Sequence, residues 1–367
     1  MTRITIPQHP DEISPEWLTH LFHRNQIIPG DVEVLAIDRS DPGRKASYAG
    51  FVSRLKISYS TENAPGPETM IAKFPAPELT IRRLFRLLYR NEAMFYRHLA
   101  DEVPIRVPTC YASLINRKRT RSLLLLEDLS PFASLPTHTD GCSTEQARIA
   151  LVRLAQFHAR WWQDPEISNE HSWLGRYQVN STQNWMIYAA AWLPFQYRVR
   201  HITPEPTLQL FRSLWRYRDN LLKLDANRPQ TIHHGDFRLA NLAFTPDDAV
   251  VFDWQVVRIG PPMFDVAYFM FTSLSIEQRR SSEQDLLSAY HATLLENGVD
   301  YSMDELMQDY RTGLLMTIPQ SMVIGAFLRL DEEREVEIQQ MLEQFDALRE
   351  DHELEKFAGA SLRKSAE

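Results

Sequence analysis

The sequence predicts an α+β fold of two lobes. A small antiparallel-sheet lobe over residues 1–127 is followed by a short hinge at 128–132 and a larger, mostly helical lobe over 133–367. Three observations predict this. Five β-like runs crowd into the first third, at residues 32–37, 51–59, 70–74, 111–115 and 122–126, with turn-rich stretches between them. Beyond residue 143 apolar residues recur mainly at helical spacings. Within that second region lies one compact polar constellation, His233-His234-Gly235-Asp236-Phe237-Arg238-Leu239-Ala240-Asn241 closed by Asp253-Trp254-Gln255.

Composition narrows the field. A chain of 367 residues can bury an ample core as one large or two ordinary domains. Hydrophobic content of 44% and charged content of 24% fit a soluble globular protein. The net charge of −8 argues against binding dominated by nucleic-acid phosphates. Cys110 and Cys142 form neither a disulfide framework nor a metal cluster by themselves. The N-terminus lacks the apolar core of a signal peptide, and no apolar run approaches the ~20 residues of a membrane span. The expectation is a cytoplasmic enzyme with no nucleic-acid partner.

Taken in order, Ser14-Pro15-Glu16 starts a helix with an apolar stripe of Trp17, Leu18, Leu21 and Phe22, ended by Pro29-Gly30. The first two strands are linked by residues 43–50, which include Ser47 and Gly50. A strand-turn-strand rich in small residues there can fold backbone N–H groups over phosphates, or be an ordinary hairpin. Neither a Rossmann nor a Walker A pattern is present. Lys73 interrupts the hydrophobic run at 70–74, as an edge-strand charge or as a functional cation. Residues 79–100 read as one helix. Ile81, Leu84, Phe85, Leu88, Phe95, Tyr96 and Leu99 share a face, and Glu92 falls on it. A carboxylate on a buried stripe costs several kcal/mol unless paired. Lys73 is the natural partner, and a strand lysine paired to a helix glutamate is the ion pair that kinases use beside the α/β-phosphates.

Two more strands complete a five-stranded sheet. The segment Glu127-Asp128-Leu129 is then a plain loop after a strand or, in a two-lobed kinase, the hinge in which the backbones of Glu127 and Leu129 meet an adenine edge. Arg117-Lys118-Arg119 reads as a solvated turn. In the second lobe Ser143 to Gln146 caps a helix that runs to about Trp162. His158 on its inner face is a satisfied core histidine rather than a ligand. Residues 170–220 hold Trp173, Trp185, Trp192 and Trp215 with Tyr188, Phe195 and Tyr197. They form either helix core or an insert walling an acceptor pocket. Three helices are expected over residues 276–297, 303–326 and 331–356, with a capping box at Ser302 and Glu305.

The polar constellation carries the chemistry. An Asp, an Asn five residues on, and an Asp after a short strand is a spacing used for phosphoryl transfer. Asp236 would accept the proton of a substrate hydroxyl, and Asn241 and Asp253 would hold magnesium against nucleotide phosphates. Residues 242–244 and 250–252 read as a hairpin that brings Asn241 and Asp253 to one end. Gly235 allows a tight turn, and His234 would hold the loop by hydrogen bonds. Asp265 would cap the helix that starts at Val266, brace the loop, or both.

The run His234-Gly235-Asp236-(four residues)-Asn241, then Asp253-Trp254-Gln255, then Gly260-Pro261-Pro262-(two residues)-Asp265, resembles the aminoglycoside phosphotransferase and choline kinase group of the protein-kinase-like fold. Leu126-Glu127-Asp128-Leu129, Asn91-Glu92-(three residues)-Tyr96 and Leu154-Ala155-(two residues)-His158-Ala159 look most like its CHK-kinase-like, or ecdysteroid-kinase-like, branch. The resemblance spans roughly residues 30–275. It implies ATP-dependent phosphorylation of a hydroxyl on a small molecule, with Mg2+ as cofactor. Asp236 is then the base, Asn241 and Asp253 the metal ligands, Lys73 the phosphate contact and Glu92 its partner. The departures are a glycine-poor nucleotide loop and Gln255 where protein kinases have Gly. A non-catalytic nucleotide-binding module and a protein Ser/Thr kinase are the alternatives. The intact Asp-Asn-Asp set opposes the first, and the absence of an Ala-Pro-Glu element after Asp253 opposes the second.

Overall fold

The structure is a computed structural model, which describes residues 5–42, 50–136, 141–175, 182–216, 228–327 and 332–364. The chain forms two compact units. The first comprises residues 1–135 with 243–246 and 250–257. The second comprises 136–242, 247–249 and 258–367.

In the first unit, helix α1 (Pro15–Arg24) starts where Ser14 Oγ accepts the Trp17 N–H, and it buries Leu18, Leu21 and Phe22. It ends at Asn25, before the Pro29-Gly30 stop that the sequence suggested. The sheet follows with β1 (Val34–Ser40), β2 (Gly50–Tyr59) and β3 (Thr69–Pro75). Two helices come next, α2 (Leu79–Leu84) and α3 (Arg86–His98), and then β4 (Cys110–Ile115) and β5 (Ser122–Glu127). The strand order is β1-β2-β3-β5-β4, antiparallel throughout. Alternate residues Leu55, Ile57, Met70, Ala72, Phe74, Leu123 and Leu125 turn to one core with α1, as the period of two requires.

Two expectations change here. Strand β3 is central, with Lys73 paired to Val52 on one side and Leu124 on the other, so the edge-strand reading of Lys73 fails. The connection through α2 and α3 returns the chain so that β5, not β4, joins β3. The helix over 79–100 is two helices. At Phe85 the backbone leaves helical geometry (φ −92°, ψ 12°) while its N–H closes on Ile81 O. Helix α2 buries none of its residues, whereas α3 buries Tyr89, Glu92, Ala93, Phe95 and Tyr96. The glycine at position 50 has a packing reason. A Cβ there would sit 2.1 Å from Phe74 O on the neighbouring strand.

The second unit is helical around a few short strands. Helix α4 (Thr144–Arg160) carries the expected capping box between Ser143 and Gln146. The short α5 (Ile167–Glu170), then α6 (Thr182–Val199) and α7 (Glu205–Arg216), follow. Strand β6 (Thr231–His233) is followed in the chain by the hairpin of β7 (Leu242–Phe244) and β8 (Ala249–Val251), most of which belongs to the first unit. Strand β9 (Arg258–Gly260) then pairs with β6. Helices α8 (Met263–Ser273), α9 (Ile276–Glu296), α10 (Met303–Phe327), α11 (Glu332–Asp351) and α12 (Leu354–Lys364) complete the chain. The helix expected over 331–356 is broken near Glu353, whose φ is 48°, so α11 and α12 are separate. Helix α8 is buried along nearly its whole length. Gly313 lets α10 approach it, since a Cβ would lie 2.4 Å from Met263 O.

No helix among the described residues is long and apolar enough to cross a membrane. In the aromatic stretch 170–220, Phe195 and Trp173 are buried and Tyr197 is exposed. Phe195 packs on Phe211, which packs on Phe345, so Phe195 is core. The side chains of Trp185, Tyr188 and Trp215 lie outside the described residues.

Candidate active site

Each unit carries one cluster of the polar residues singled out above. In the first unit, burial alternates along β3. Met70, Ala72 and Phe74 face the core, which leaves Lys73 on the opposite face. Glu92 projects from the buried stripe of α3. Lys73 Nζ lies 2.7 Å from Glu92 Oε1 and 2.8 Å from Asp253 Oδ1. One ammonium thus serves two carboxylates. Burial by itself would push the Lys73 ammonium down, but Asp253 and Glu92 outweigh it and hold Lys73 charged, above its ordinary range. Burial raises Glu92 to about 7, with Lys73 opposing and Asp253 adding to the rise. Gln255 Nε2 donates to the other oxygen of Glu92 at 3.4 Å. The departure from Gly at this position therefore has a structural use.

Asp253 sits in the left-handed region, φ 65° and ψ 60°, where a side chain is strained. Its neighbour holds it there. Trp254 is fully buried, stacks on Phe95 of α3 with centroids 4.0 Å apart, and donates its indole N–H to Val251 O at 3.1 Å. The local sequence foretold neither the strain nor the stacking.

The segment after β5 is pinned by a residue that the sequence reading passed over. Asp128 is buried and accepts Arg54 Nε at 2.7 Å, the Ser130 N–H at 3.1 Å and the Ser130 hydroxyl at 2.8 Å. Burial would raise Asp128, but the bonds from Ser130 and Arg54 keep it below the usual carboxylate value. An Asp two residues before a Ser after a strand is the available signal, because that spacing favours an Asx turn. The Glu127 N–H is bonded to Thr109 O, and its carboxylate to Arg106 and the Thr109 N–H. The Leu129 C=O accepts from Phe132 and Ala133. Gly50 stands at the start of β2, and Ser47 lies outside the described residues.

In the second unit the loop from His234 to Asn241 is built around a buried carboxylate. Asp265 is the third residue of α8, not its cap, because the helix already begins at Met263. The bracing role holds. Asp265 Oδ2 accepts the His234 N–H at 2.6 Å and Oδ1 accepts the Gly235 N–H at 2.8 Å. Gly235 takes φ 81°, which a residue with a Cβ would resist. His158 on α4 is fully buried, with Nε2 3.4 Å from Asp265 Oδ2 and Nδ1 2.8 Å from the Tyr290 hydroxyl. It is a satisfied core histidine. Burial pushes His158 down, against the opposing effect of Asp265. Burial also depresses His233 to about 3, with Asp265 opposing. Arg258 donates to His233 Nε2 at 3.1 Å, which requires that nitrogen unprotonated and so selects the neutral ring. Burial would raise Asp265, but the His158 bond and the surrounding imidazoles hold it well below the carboxylate range.

That scaffold presents Asp236. Its N–H donates to His234 Nδ1 at 3.2 Å. Asn241 Nδ2 donates to both the Asp236 carbonyl and its Oδ2, each at 2.8 Å. The amide nitrogen being engaged, the Asn241 Oδ1 is the atom suited to a cation. Arg238 Nε lies 3.2 Å from Asp236 Oδ1, a contact that the sequence reading did not foresee. Asp236 remains partly open, with a quarter of its side chain exposed. Ser273 Oγ accepts the Leu239 N–H at 3.0 Å, and Phe237 is buried against Phe269. Among the described residues, no three His, Cys, Asp or Glu side chains cluster as a metal site. The Asn241 Oδ1 and a carboxylate oxygen are donor types that suit a hard ion with phosphate and water ligands.

Comparison with known proteins bears on this arrangement. The ecdysteroid kinase-like family matches residues 44–300, more than half of the chain. Three solved structures share the fold. A choline/ethanolamine kinase family protein from Mesorhizobium loti has 12% identity and a TM-score of 0.51, with 90% of this chain and 93% of that chain covered. An ethanolamine kinase from Plasmodium vivax has 11% identity and a TM-score of 0.52, with 89% and 85% covered. An amicoumacin kinase in complex with AMP-PNP and Ca2+ has 12% identity and a TM-score of 0.52, with 89% and 92% covered. These likenesses establish the kinase-like fold. Acyl-CoA dehydrogenase family member 10 of Mus musculus is 46% identical over 50 residues. That match covers 13% of this chain and 5% of that protein, so the chain spans a small fraction of this relative.

Proposed function

This chain belongs to the ecdysteroid kinase-like family, and from that premise we propose that it is an ATP- and Mg2+-dependent phosphotransferase acting on a hydroxyl group of a small molecule. The observation that carries this reading is Lys73, held on a central strand between Glu92 and Asp253 at 2.7 and 2.8 Å. A half-buried cation shared by two carboxylates, one of them buried, is a costly arrangement that a sheet does not need for its own stability. It suits a group that must present fixed positive charge to phosphates.

In this reading Asp236 accepts the hydrogen bond of the acceptor hydroxyl and takes its proton as the oxygen attacks the γ-phosphorus. The new O–P bond forms as the bond to the β-phosphate oxygen breaks, and ADP leaves. Lys73 contacts the α/β-phosphates while Glu92, steadied by Gln255, keeps its ammonium in place. Asn241 through Oδ1 and Asp253 through its carboxylate would hold Mg2+, which neutralises charge on the phosphates when bound. With the Glu127 N–H and the Leu129 C=O already committed, the Glu127 C=O and Leu129 N–H would serve the adenine edge. Ser47 and Gly50 belong to the segment that would lie over the phosphates. Among the fold relatives, an ethanolamine kinase and an amicoumacin kinase support a small-molecule acceptor.

The test is ADP release across a panel of hydroxylated metabolites, sterols and amino alcohols included, with Asp236→Asn as the blank. Turnover on at least one acceptor, absent in the blank, supports the reading. ATP binding without turnover on any acceptor, or equal turnover in the blank, removes it.

A further inference from the structure

We propose that the first unit docks, through the outer face of α2 and the start of α3 together with the β4–β5 turn, on a lipid bilayer surface that carries anionic headgroups. The proposal does not rest on the phosphotransferase reading.

Charge is segregated in this chain. Between residues 79 and 121 there are ten Lys and Arg against three Asp and Glu, a local +7 in a protein of net −8. One of the three acids is Glu92, buried against Lys73, so it does not offset the surface charge. Arg83, Arg86, Arg117, Lys118 and Arg121 are exposed. Helix α3 lies against β4, the strand that leads into the turn. Arg97 of α3 donates to Ser113 O on β4 at 3.1 Å, and the Ser113 hydroxyl donates to Ala93 O of α3 at 2.9 Å. Arg119 in the turn is close enough to Arg90 for its charge to oppose that of Arg90, with burial the larger effect.

Apolar groups are interleaved with this charge. Leu79, Leu84 and Leu87 are 51%, 71% and 52% exposed. They make up three of the nine large hydrophobic side chains that are exposed among the described residues, within nine positions of the chain. Helix α2 buries nothing. It is held instead by Arg82, which donates to Ala76 O, Pro77 O and Gln8 Oε1. A six-residue helix that presents leucines outward while a hydrogen-bonded arginine anchors its other side contributes little to its own core.

Charge complementarity selects the partner. A nucleic acid or an acidic peptide would satisfy the arginines through phosphate or carboxylate contacts and leave the leucines wet. An anionic bilayer takes both, with leucines in the headgroup–acyl boundary and arginine stems lying along it with their heads at the phosphates.

The experiment is co-sedimentation of the full chain with phosphatidylcholine vesicles, with and without phosphatidylserine. Binding is expected to the mixed vesicles and not to phosphatidylcholine alone, and to fall at least ~10-fold between about 0.1 and 0.5 M salt. The pair Leu84→Asp with Leu87→Asp should lower binding at least ~10-fold. Arg83→Glu with Arg86→Glu should do the same. All four side chains are exposed, and an unchanged melting temperature shows that the variants fold. Three outcomes overturn the proposal. They are no binding to mixed vesicles, full binding by the leucine variant, and displacement from vesicles by duplex DNA with equal DNA affinity in wild type and leucine variant.

Discussion

The two polar clusters solve the same problem by different means. Each satisfies a carboxylate that packing has taken out of water, Glu92 in one and Asp265 in the other. Around Lys73 the solution is ionic, one ammonium between Glu92 and Asp253. Around Asp265 it is dipolar, two backbone N–H groups and neutral imidazoles about one carboxylate. The ionic cluster joins residues 73, 92 and 253, far apart in the chain. The dipolar cluster braces a loop in which Asp236 and Asn241, five residues apart, are hydrogen-bonded to each other. The first is therefore sensitive to the loss of any one charge, and the second to the protonation of its histidines.

The largest expected effect tests what the dipolar cluster is for. Asp236→Ala should lower kcat by at least ~10²-fold while leaving ATP affinity near wild type, read by ADP release and by calorimetry. Full activity would remove Asp236 as the base. Next comes the ionic cluster. Lys73→Met leaves Glu92 and Asp253 without their shared cation, and denaturant unfolding should show a loss of about 3–5 kcal/mol. The double replacement Lys73→Met with Glu92→Leu should recover part of that loss, because it removes one of the two stranded charges. No recovery would mean that the pairing is not what stabilises the site.

Asp265→Ala strands the His234 and Gly235 N–H groups in a buried site. It should cost about 2–4 kcal/mol in the same assay and lower kcat more than it raises the KM for ATP. Equal loss in both parameters would argue for general unfolding instead of a displaced loop.

The smallest effect distinguishes the clusters by pH. His233 and His158 have folded values depressed below the ordinary 6.5 by burial, His233 to about 3. The unfolded chain thus binds more protons between those limits. The contribution of His233 is complete above pH 6.5 and is lost as pH falls through about 3, and that of His158 is lost in the same direction, with a slope of up to about 1.4 kcal/mol per pH unit for each histidine. Glu92 runs the other way. Its folded value is raised to about 7, so its contribution is complete below the ordinary carboxylate value of 4.5 and is lost as pH rises through 7. Amide exchange, corrected for intrinsic pH dependence, should show α4 and α8 losing protection on mild acidification while β3 and α3 do not. Parallel loss in both units would contradict the assignment of the two clusters.

Much of this was legible in the chain. β-like runs set off by turn-rich stretches marked all five strands of the sheet, because turn chemistry is local. Ser143 with Gln146 and Ser302 with Glu305 marked helix starts, because capping is local chemistry. The position of Glu92 on an apolar stripe marked a carboxylate that needed a partner, and the spacing of Asp236 and Asn241 marked two groups that meet. Groups within a turn or two of each other are positioned by local geometry, and a buried charge betrays itself by its apolar neighbours.

Other features needed the folded chain. Only strand order put Lys73 in the centre of the sheet, since the choice between edge and centre depends on β5, some fifty residues later. The break at Phe85 arises because α3 packs while α2 does not. Asp265 was legible as a brace but not as the third residue of its helix, because two prolines and Met263 start that helix earlier. The stacking of Trp254 on Phe95 and the tether of Gln255 to Glu92 each join residues some 160 apart, and they flank the strained backbone of Asp253. Sequence fixed which groups had to be buried or presented. Which partner each group met was decided by packing, because a buried charge is satisfied by whatever lies beside it in space.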